Sequence, residues 1–422
     1  MKRKIFQTVS VILACIICLS ACGGGAGTAS ASADKENRSS GTKDKAVKVS
    51  VICTGDIMAH SVNIKSALQS DGTYDFTDNY EYVKKYISQA DLALCNVETT
   101  FGGGTPSGYP MFNAPDELAD AIDDAGFDVA ITSNNHMMDS GSSGVSRTLK
   151  VLQSAGLDTV GSRASESDKG YIVENVKGAR IGVVAYTYET TGASGTPVTI
   201  NGNTVTDSTS KLINSFNYNK LDSGDYDKIK KDIDGCRKDG ADAVICYMHW
   251  GTEYQRQENE YQKEMAQKLA DMGADVIFAS HPHVTQNIEI LTSSDGKSVP
   301  VFYSMGNFIS NQRQETLGNR YTEEGMIAEA KLTIIPGQGG IRAESINIIP
   351  VWVDRYTENG GTKYKIIPLD SHLGSNGALA MSGHMSRAQQ AESDMESAYG
   401  KYIKGVTVFT SGGKSDDSSA AA

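Results

Sequence analysis

The stretch from Ala274 to His283, ADVIFASHPH, runs an apolar segment of strand length directly into two imidazoles separated by one proline. Taken alone, His-Pro-His is compatible with an ordinary turn after a buried strand, so its meaning depends on whether the pattern recurs. It does. Five apolar runs, most of them preceded by a polar helical stretch that closes in Gly or Ala followed by Asp, end in metal-capable residues. They are AVKVSVICTGD at Asp56, ADLALCNVE at Glu98, FDVAITSNNH at Asn135 and His136, ADAVICYMHW at His249, and ADVIFASHPH at His281 and His283.

The helical partners include NYEYVKKYISQ (79–89), PDELADAIDDAG (115–126), SGVSRTLKVLQSAG (143–156), YDKIKKDIDGCRKDG (226–240) and YQKEMAQKLADMG (261–273). Alternating strand and helix predicts an α/β fold, and the near-continuous Val, Ile, Leu and Ala of the strands suits a parallel sheet covered on both faces. Ligands of such sheets bind beyond the carboxyl ends of the strands. Of seven histidines, His60, His136, His249, His281 and His283 fall at or just after these ends, leaving His372 and His384 elsewhere; His384 is expected to be solvated. Five imidazoles on one edge of one sheet, beside Asp56 and Glu98, predict a functional cluster. In an extended backbone residues i and i+2 point the same way, and proline holds φ near about −65°. His281 and His283 are therefore expected to face that cluster together.

Carboxylate, amide oxygen and imidazole suit Mn, Fe or Zn, and the lack of cysteine at the strand tips argues against a thiolate zinc site. Six candidate ligands among these strand-end residues are enough for one or two divalent ions, with Glu98 able to bridge a pair. Two ions roughly 3.5–4 Å apart would clamp the attacking and leaving oxygens of an in-line displacement.

The 422 residues, 39% hydrophobic, are enough for a large core, and a formal charge of −12 argues against a nucleic-acid partner. Residues 1–22 have the layout of an export signal: basic MKRK, apolar IFQTVSVILACIICL, and LSAC ending at Cys22. A retained transmembrane anchor is the weaker reading, because Gln7, Thr8 and Ser10 interrupt a short apolar segment. Residues 23–46, rich in Gly, Ser, Ala and charge, read as a flexible tether. Of seven cysteines, Cys53, Cys95, Cys236 and Cys246 remain in the folded part and are expected as buried small side chains. The polar insertion 192–217 is expected at the surface, near enough to YTYETTG (186–192) to line a groove.

The Leu19-Ser20-Ala21-Cys22 tetrapeptide resembles the lipobox of bacterial lipoproteins, which implies acylation of Cys22 and a membrane anchor on the extracytoplasmic face. The blocks GDIM (55–58), NVE (96–98), SNNHMMDSG (133–141), HWGTEY (249–254), SHPHVTQ (280–286) and YSMGNF (303–308) resemble those of CapA-type capsule synthesis proteins. That family is a branch of the calcineurin-like metallophosphoesterase superfamily. The resemblance implies a four-layer αββα sandwich of mixed sheets over 47–356, with VPVFYSMGN, MIAEAKLTIIP and IRAESINIIPVWVDRY in a second sheet. A C-terminal extension (357–410) with a surface helix and a disordered tail (411–422) would follow. It also implies Asp56, Glu98, Asn135, His249, His281 and His283 as metal ligands, with His136 assisting the leaving oxygen and Asp139 orienting His136. One departure is Met58, where superfamily phosphoesterases carry a histidine ligand; His60 has the wrong spacing from Asp56 to replace it.

The resemblance further implies an anionic capsule polymer as partner, poly-gamma-glutamate being the family's named product, along with membrane-bound polymer synthase subunits. Dinuclear sites serve phosphatases and aminopeptidases alike. The ligand set therefore leaves open a phosphoester, a gamma-glutamyl amide, or a binding module with a vestigial site.

Overall fold

A computed structural model describes residues 45–192, 197–220, 223–337 and 340–407. The signal segment, Cys22, nearly all of the tether and the tail lie outside the described residues. The first three motif-bearing runs form β1 (Val47–Ile57), β2 (Leu92–Val97) and β3 (Val129–Ile131), joined by β4 (Asp158–Val160). These four pair in parallel in that order. A second sheet is built from β5 (Tyr171–Val176), β6 (Ala179–Tyr188), β7 (Ala243–His249), β8 (Val276–Ser280), β9 (Ile288–Thr292) and β10 (Ser298–Phe302), in the order β9-β10-β8-β7-β6-β5. The chain then returns to the first sheet: β11 (Asn307–Ile309) lies parallel to the end of β1, and β12 (Glu324–Ile335), β13 (Gly340–Glu358) and β14 (Gly361–Pro368) extend it on the β1 side.

Helices α1 (Glu117–Ala125) and α2 (Gly141–Ala155) cover the outer face of the first sheet, where Leu118, Ile122 and Leu152 meet Ile52, Ala93 and Cys95. On the outer face of the second sheet, α3 (Ser223–Lys238) and α4 (Glu260–Met272) set Ile229, Ile233 and Leu269 against Val244 and Cys246. Between the sheets Val51, Leu94, Ile131, Val183, Tyr247 and Phe278 form the central core. The order is helix, sheet, sheet, helix: the four-layer αββα sandwich expected. Burying each of these large apolar side chains contributes about 1.5–3 kcal/mol. α4 shows how the sequence punctuates a helix. Asn259 accepts from the Gln262 N–H at 3.0 Å while the Gln262 side chain accepts from the Asn259 N–H at 3.0 Å. Gly273, at φ 105°, ends the helix in the left-handed region.

Three expectations need correction. The five motif strands do not share a sheet: β1, β2 and β3 lie in one, β7 and β8 in the other. The VPVF part of VPVFYSMGN joins the sheet of β7 and β8, whereas its Asn307, MIAEAKLTIIP and IRAESINIIPVWVDRY join that of β1. A strand covered on both faces has the same apolar pattern whether a helix or another sheet covers it, so periodicity does not encode the split. The stretch 79–89 forms only two short turns, Thr77–Tyr80 and Lys84–Ile87, yet Tyr80, Val83 and Ile87 are still buried on the outer face.

Residue 356 falls inside β13, which pairs antiparallel with β14. α5 (Met385–Ile403) buries Ala388, Ala391, Met395, Tyr399 and Tyr402 against the inter-sheet core. Tyr402 Oη donates to the Ile288 carbonyl at 2.6 Å. Cys53, Cys95, Cys236 and Cys246 are buried free thiols, as expected.

Candidate metal centre

The split of the strands places the cluster at the seam of the two sheets, with β1 and β2 delivering carboxylates from one side and β7 and β8 delivering imidazoles from the other. Gly55 makes the close approach at the end of β1. A Cβ there would lie 1.8 Å from the Gly306 carbonyl oxygen, the oxygen that accepts the Asp56 N–H at 3.0 Å. Asp56, Glu98, Asn135, His136, His249, His281 and His283 are all buried.

Glu98 is at the centre. Its Oε1 has no hydrogen-bond partner among the described residues and stands 3.7 Å from His249 Nε2 and 3.8 Å from His283 Nε2. Donor atoms of Glu98, His249 and His281 lie within 4.8 Å of one another, as do those of Asp56, Glu98 and His283. Asn135 Oδ1 joins the first group, 2.9 Å from His249 Nε2. Asp56 Oδ2 is 3.0 Å from His283 Nδ1, while its Oδ1 accepts from Asn96 Nδ2 at 2.7 Å. His281 Nδ1 is likewise buried without a hydrogen-bond partner among the described residues. A buried carboxylate oxygen and a buried imidazole nitrogen without partners are costly unless an ion or proton meets them. The donor set therefore fits divalent cations bound by oxygen and imidazole.

Electrostatics describe the same arrangement without a cation. Burial, reinforced by the Asp56 charge, pushes Glu98 well above the usual carboxylate range, favouring the protonated acid. Burial lowers His249 to about 3. Burial and the neighbouring imidazoles push His281 far down as well. The Asp56–His283 pair behaves oppositely. Burial opposes charge on each, but their hydrogen bond and mutual attraction outweigh it, lowering Asp56 and raising His283. Protons thus hold positions that a divalent cation would compete for.

His136 sits beside this cluster with Nδ1 2.7 Å from Asp139 Oδ2, an oxygen that also accepts the Phe112 N–H at 2.7 Å. The Phe112 ring packs edge-on to His136 at 4.6 Å and to His60 at 5.0 Å. His60 belongs to none of the ligand groups; its Nδ1 accepts the Asn311 N–H at 3.2 Å. His384, expected in solvent, is half-buried and lies 2.7 Å from Asp354 Oδ1, on the far C-terminal side of the chain from the motifs.

The His-Pro-His pair converges, but not by the pleat of a strand. β8 ends at Ser280, and His281 and His283 have φ of 111° and 56°. Side chains other than glycine are strained there, so the convergence is held by tertiary packing. Tyr254, at φ 66°, donates its N–H to the Pro282 carbonyl at 2.8 Å and braces the turn.

Several participants were not singled out by sequence. Glu253, exposed, has a carboxylate within 4.8 Å of the donor atoms of His281 and His283. Asn96 and Asn307 hold Asp56 and His283 through their amides. Asn134 donates to Asn96 Oδ1 and accepts from the His136 N–H. These residues stand inside the motif blocks, where polarity at a strand end was the available signal. Tyr188, stacked on His249 with rings 6.3 Å apart, ends β6 inside YTYETTG (186–192), the stretch expected beside a groove. The insertion does line the site: Asn201 Nδ2 is 3.5 Å from His136 Nδ1, and Ile200 and Ile213 pack with Met137 and Met138.

Residues 50–312 match the family described as bacterial capsule synthesis protein PGA_cap. The chain is 29% identical to the capsule biosynthesis protein CapA of Bacillus anthracis over 276 residues, 63% of this chain and 60% of that one. It is 31% identical to the PGA biosynthesis protein CapA of Bacillus subtilis (strain 168) over 198 residues, 46% of each. The match thus spans about half to three-fifths of these relatives. A solved structure, TT1561 of Thermus thermophilus, covers 67% of this chain and 94% of its own at a TM-score of 0.32 and 8% identity, too distant to bear on function. With the family match spanning more than half of the sequence, the chain belongs to the bacterial capsule synthesis PGA_cap family.

Proposed function

We propose that this chain works on the extracytoplasmic face of the cell membrane, anchored through Cys22, in the synthesis, export or attachment of poly-gamma-glutamate or a similar anionic polymer. The observation that carries the reading is Glu98 Oε1, buried between His249 Nε2 and His283 Nε2 and adjacent to the His136–Asp139 pair. Glu98, Asn135, His249 and His281 would hold one divalent ion, and Asp56, Glu98 and His283 a second. When bound, such ions polarise a phosphoryl or carbonyl oxygen and lower the pKa of water.

The chain's own residues supply the rest. Asp139 fixes His136 through Nδ1, leaving Nε2 to deliver a proton to a leaving oxygen or nitrogen. Asn96 and Asn307 hold Asp56 and His283 in orientation. Phe112 and Tyr188 exclude water from the imidazoles they cover. A net charge of −12 disfavours long-range attraction to a polyanion, so bound cations have to supply the local attraction.

The second reading is a binding module without turnover, favoured by Met58, whose thioether is a poor donor for hard ions. Metal analysis of the purified chain, followed by a screen of phosphoester and gamma-glutamyl substrates with Mn, Fe or Zn, separates the two. Metal-dependent cleavage supports the catalyst; metal-dependent polymer retention without cleavage supports the module. Polymer retention that is unchanged after metal stripping overturns the cation-dependent module, and the absence of metal-dependent cleavage in every substrate class overturns the catalyst.

A further inference from the structure

The two ligand groups are built unequally. Glu98, His249 and His281 are buried and joined by Asn135, giving four donors within the protein interior. The group of Asp56, Glu98 and His283 is poorer: both Asp56 oxygens already accept hydrogen bonds, from Asn96 and His283, and Glu98 is shared with the other group. The end of β1 adds no further hard donor, because the residue two places after Asp56 is Met58.

Glu253 approaches from the other side. Its carboxylate lies within 4.8 Å of the donor atoms of both His281 and His283, and it is exposed whereas they are buried. The turn that carries it has Gly251 at φ 99° and Tyr254 at φ 66°, and the Tyr254 N–H bond to the Pro282 carbonyl ties that turn to the His-Pro-His segment. Gly251 adopts its positive φ freely, whereas that of Tyr254 is strained, and such strain persists where surrounding contacts enforce it.

We infer that Glu253 is the ligand that completes the second ion position, so that one ion is held deep by interior donors and another sits at the mouth, exchanging with solvent under the control of this exposed carboxylate. The inference rests on the metal-binding reading above. An exposed carboxylate keeps its hydration and side-chain freedom until it binds, which makes the outer position the weaker one. A carboxylate oxygen also shifts the outer position toward harder ions such as Mn²⁺ than the imidazole-rich inner one prefers.

The test is Mn²⁺ binding to chelator-stripped protein, followed by calorimetry and by elemental analysis of the metal-to-chain ratio. The wild type is expected to bind in two steps. Glu253→Gln should weaken the looser step at least tenfold and leave the tighter one intact, whereas His249→Ala should abolish the tighter one. Because Glu253 is exposed, the metal-free melting temperature of Glu253→Gln should match the wild type, which excludes misfolding as the cause. Two unchanged steps in Glu253→Gln, or a single wild-type step that the substitution leaves alone, overturn the Glu253 assignment while the metal-binding reading stands. A wild-type chain that binds no Mn²⁺, Fe²⁺ or Zn²⁺ overturns that reading and this inference together.

Discussion

His136 Nδ1 lies 2.7 Å from Asp139 Oδ2, and that same oxygen accepts the Phe112 backbone N–H, so the carboxylate that orients the imidazole is itself held in place. A base oriented from behind presents its other nitrogen in a single direction. General acid–base action by such a group is worth about 10²–10⁴-fold in rate. His136→Ala is therefore expected to keep its metal content yet lose turnover by that factor, read by elemental analysis alongside an activity or capsule assay. Intact activity and capsule output in this variant would remove His136 from the chemistry.

His249 offers the complementary case, because it holds rather than reacts. Its ring is buried, with Nε2 facing both Glu98 Oε1 and Asn135 Oδ1. An ion bound only by the native state stabilises it, by about 2.7 kcal/mol at a hundredfold excess over Kd. Stripping the wild type with a chelator should lower its melting temperature by several degrees, and His249→Ala should lose the larger part of that response, keeping only what the looser outer position contributes. A wild-type melting temperature indifferent to Mn²⁺, Fe²⁺ and Zn²⁺ would contradict the assignment.

Strand existence and the identities of the clustered residues were legible because both reside in local pattern. Val, Ile and Ala runs ending in Asp56, Glu98, His249 and His281 required no long-range information. What was not legible is which sheet each strand joins. β2 and β7 are each buried along their whole length, although they lie in different sheets. Nor could spacing reveal that His281 and His283 converge through positive φ rather than an extended pleat, since that backbone is imposed by contacts such as Tyr254 with Pro282. Glu253 was hidden for a related reason: an acidic residue in a polar turn reads as solvated surface until the fold brings it against two imidazoles.

Among the described residues no helix is long and apolar enough to cross a membrane, and the proposed anchor is the thiol of Cys22 in the LSAC tetrapeptide. If the thiol is acylated, Cys22→Ala should leave uncleaved precursor or released protein, and fatty-acid labelling should vanish. Unchanged mature size together with membrane retention would instead indicate an ordinary signal or a retained apolar anchor.

His60 supplies a pH test at a residue that belongs to none of the ligand groups. Burial, aided by the charges of His283 and His136, pushes its pKa down to about 3, against about 6.5 in an unfolded chain. The folded state thus favours the neutral ring, and between those two values the unfolded chain binds more protons. Stability from this group is fully present above about pH 6.5 and is lost as pH falls toward about 3, with a limiting slope of about 1.4 kcal/mol per pH unit for one proton. His249, also lowered to about 3 by burial, acts in the same direction. His60→Asn keeps an acceptor for the Asn311 N–H that His60 Nδ1 meets at 3.2 Å, but removes the titrating group. Urea unfolding of metal-free protein between about pH 6 and pH 4 should show wild-type stability falling more steeply than that of the variant, the difference approaching one proton. Superimposable slopes would mean that His60 takes up its proton in the folded chain as readily as in the unfolded one, and the burial argument for this ring would fail.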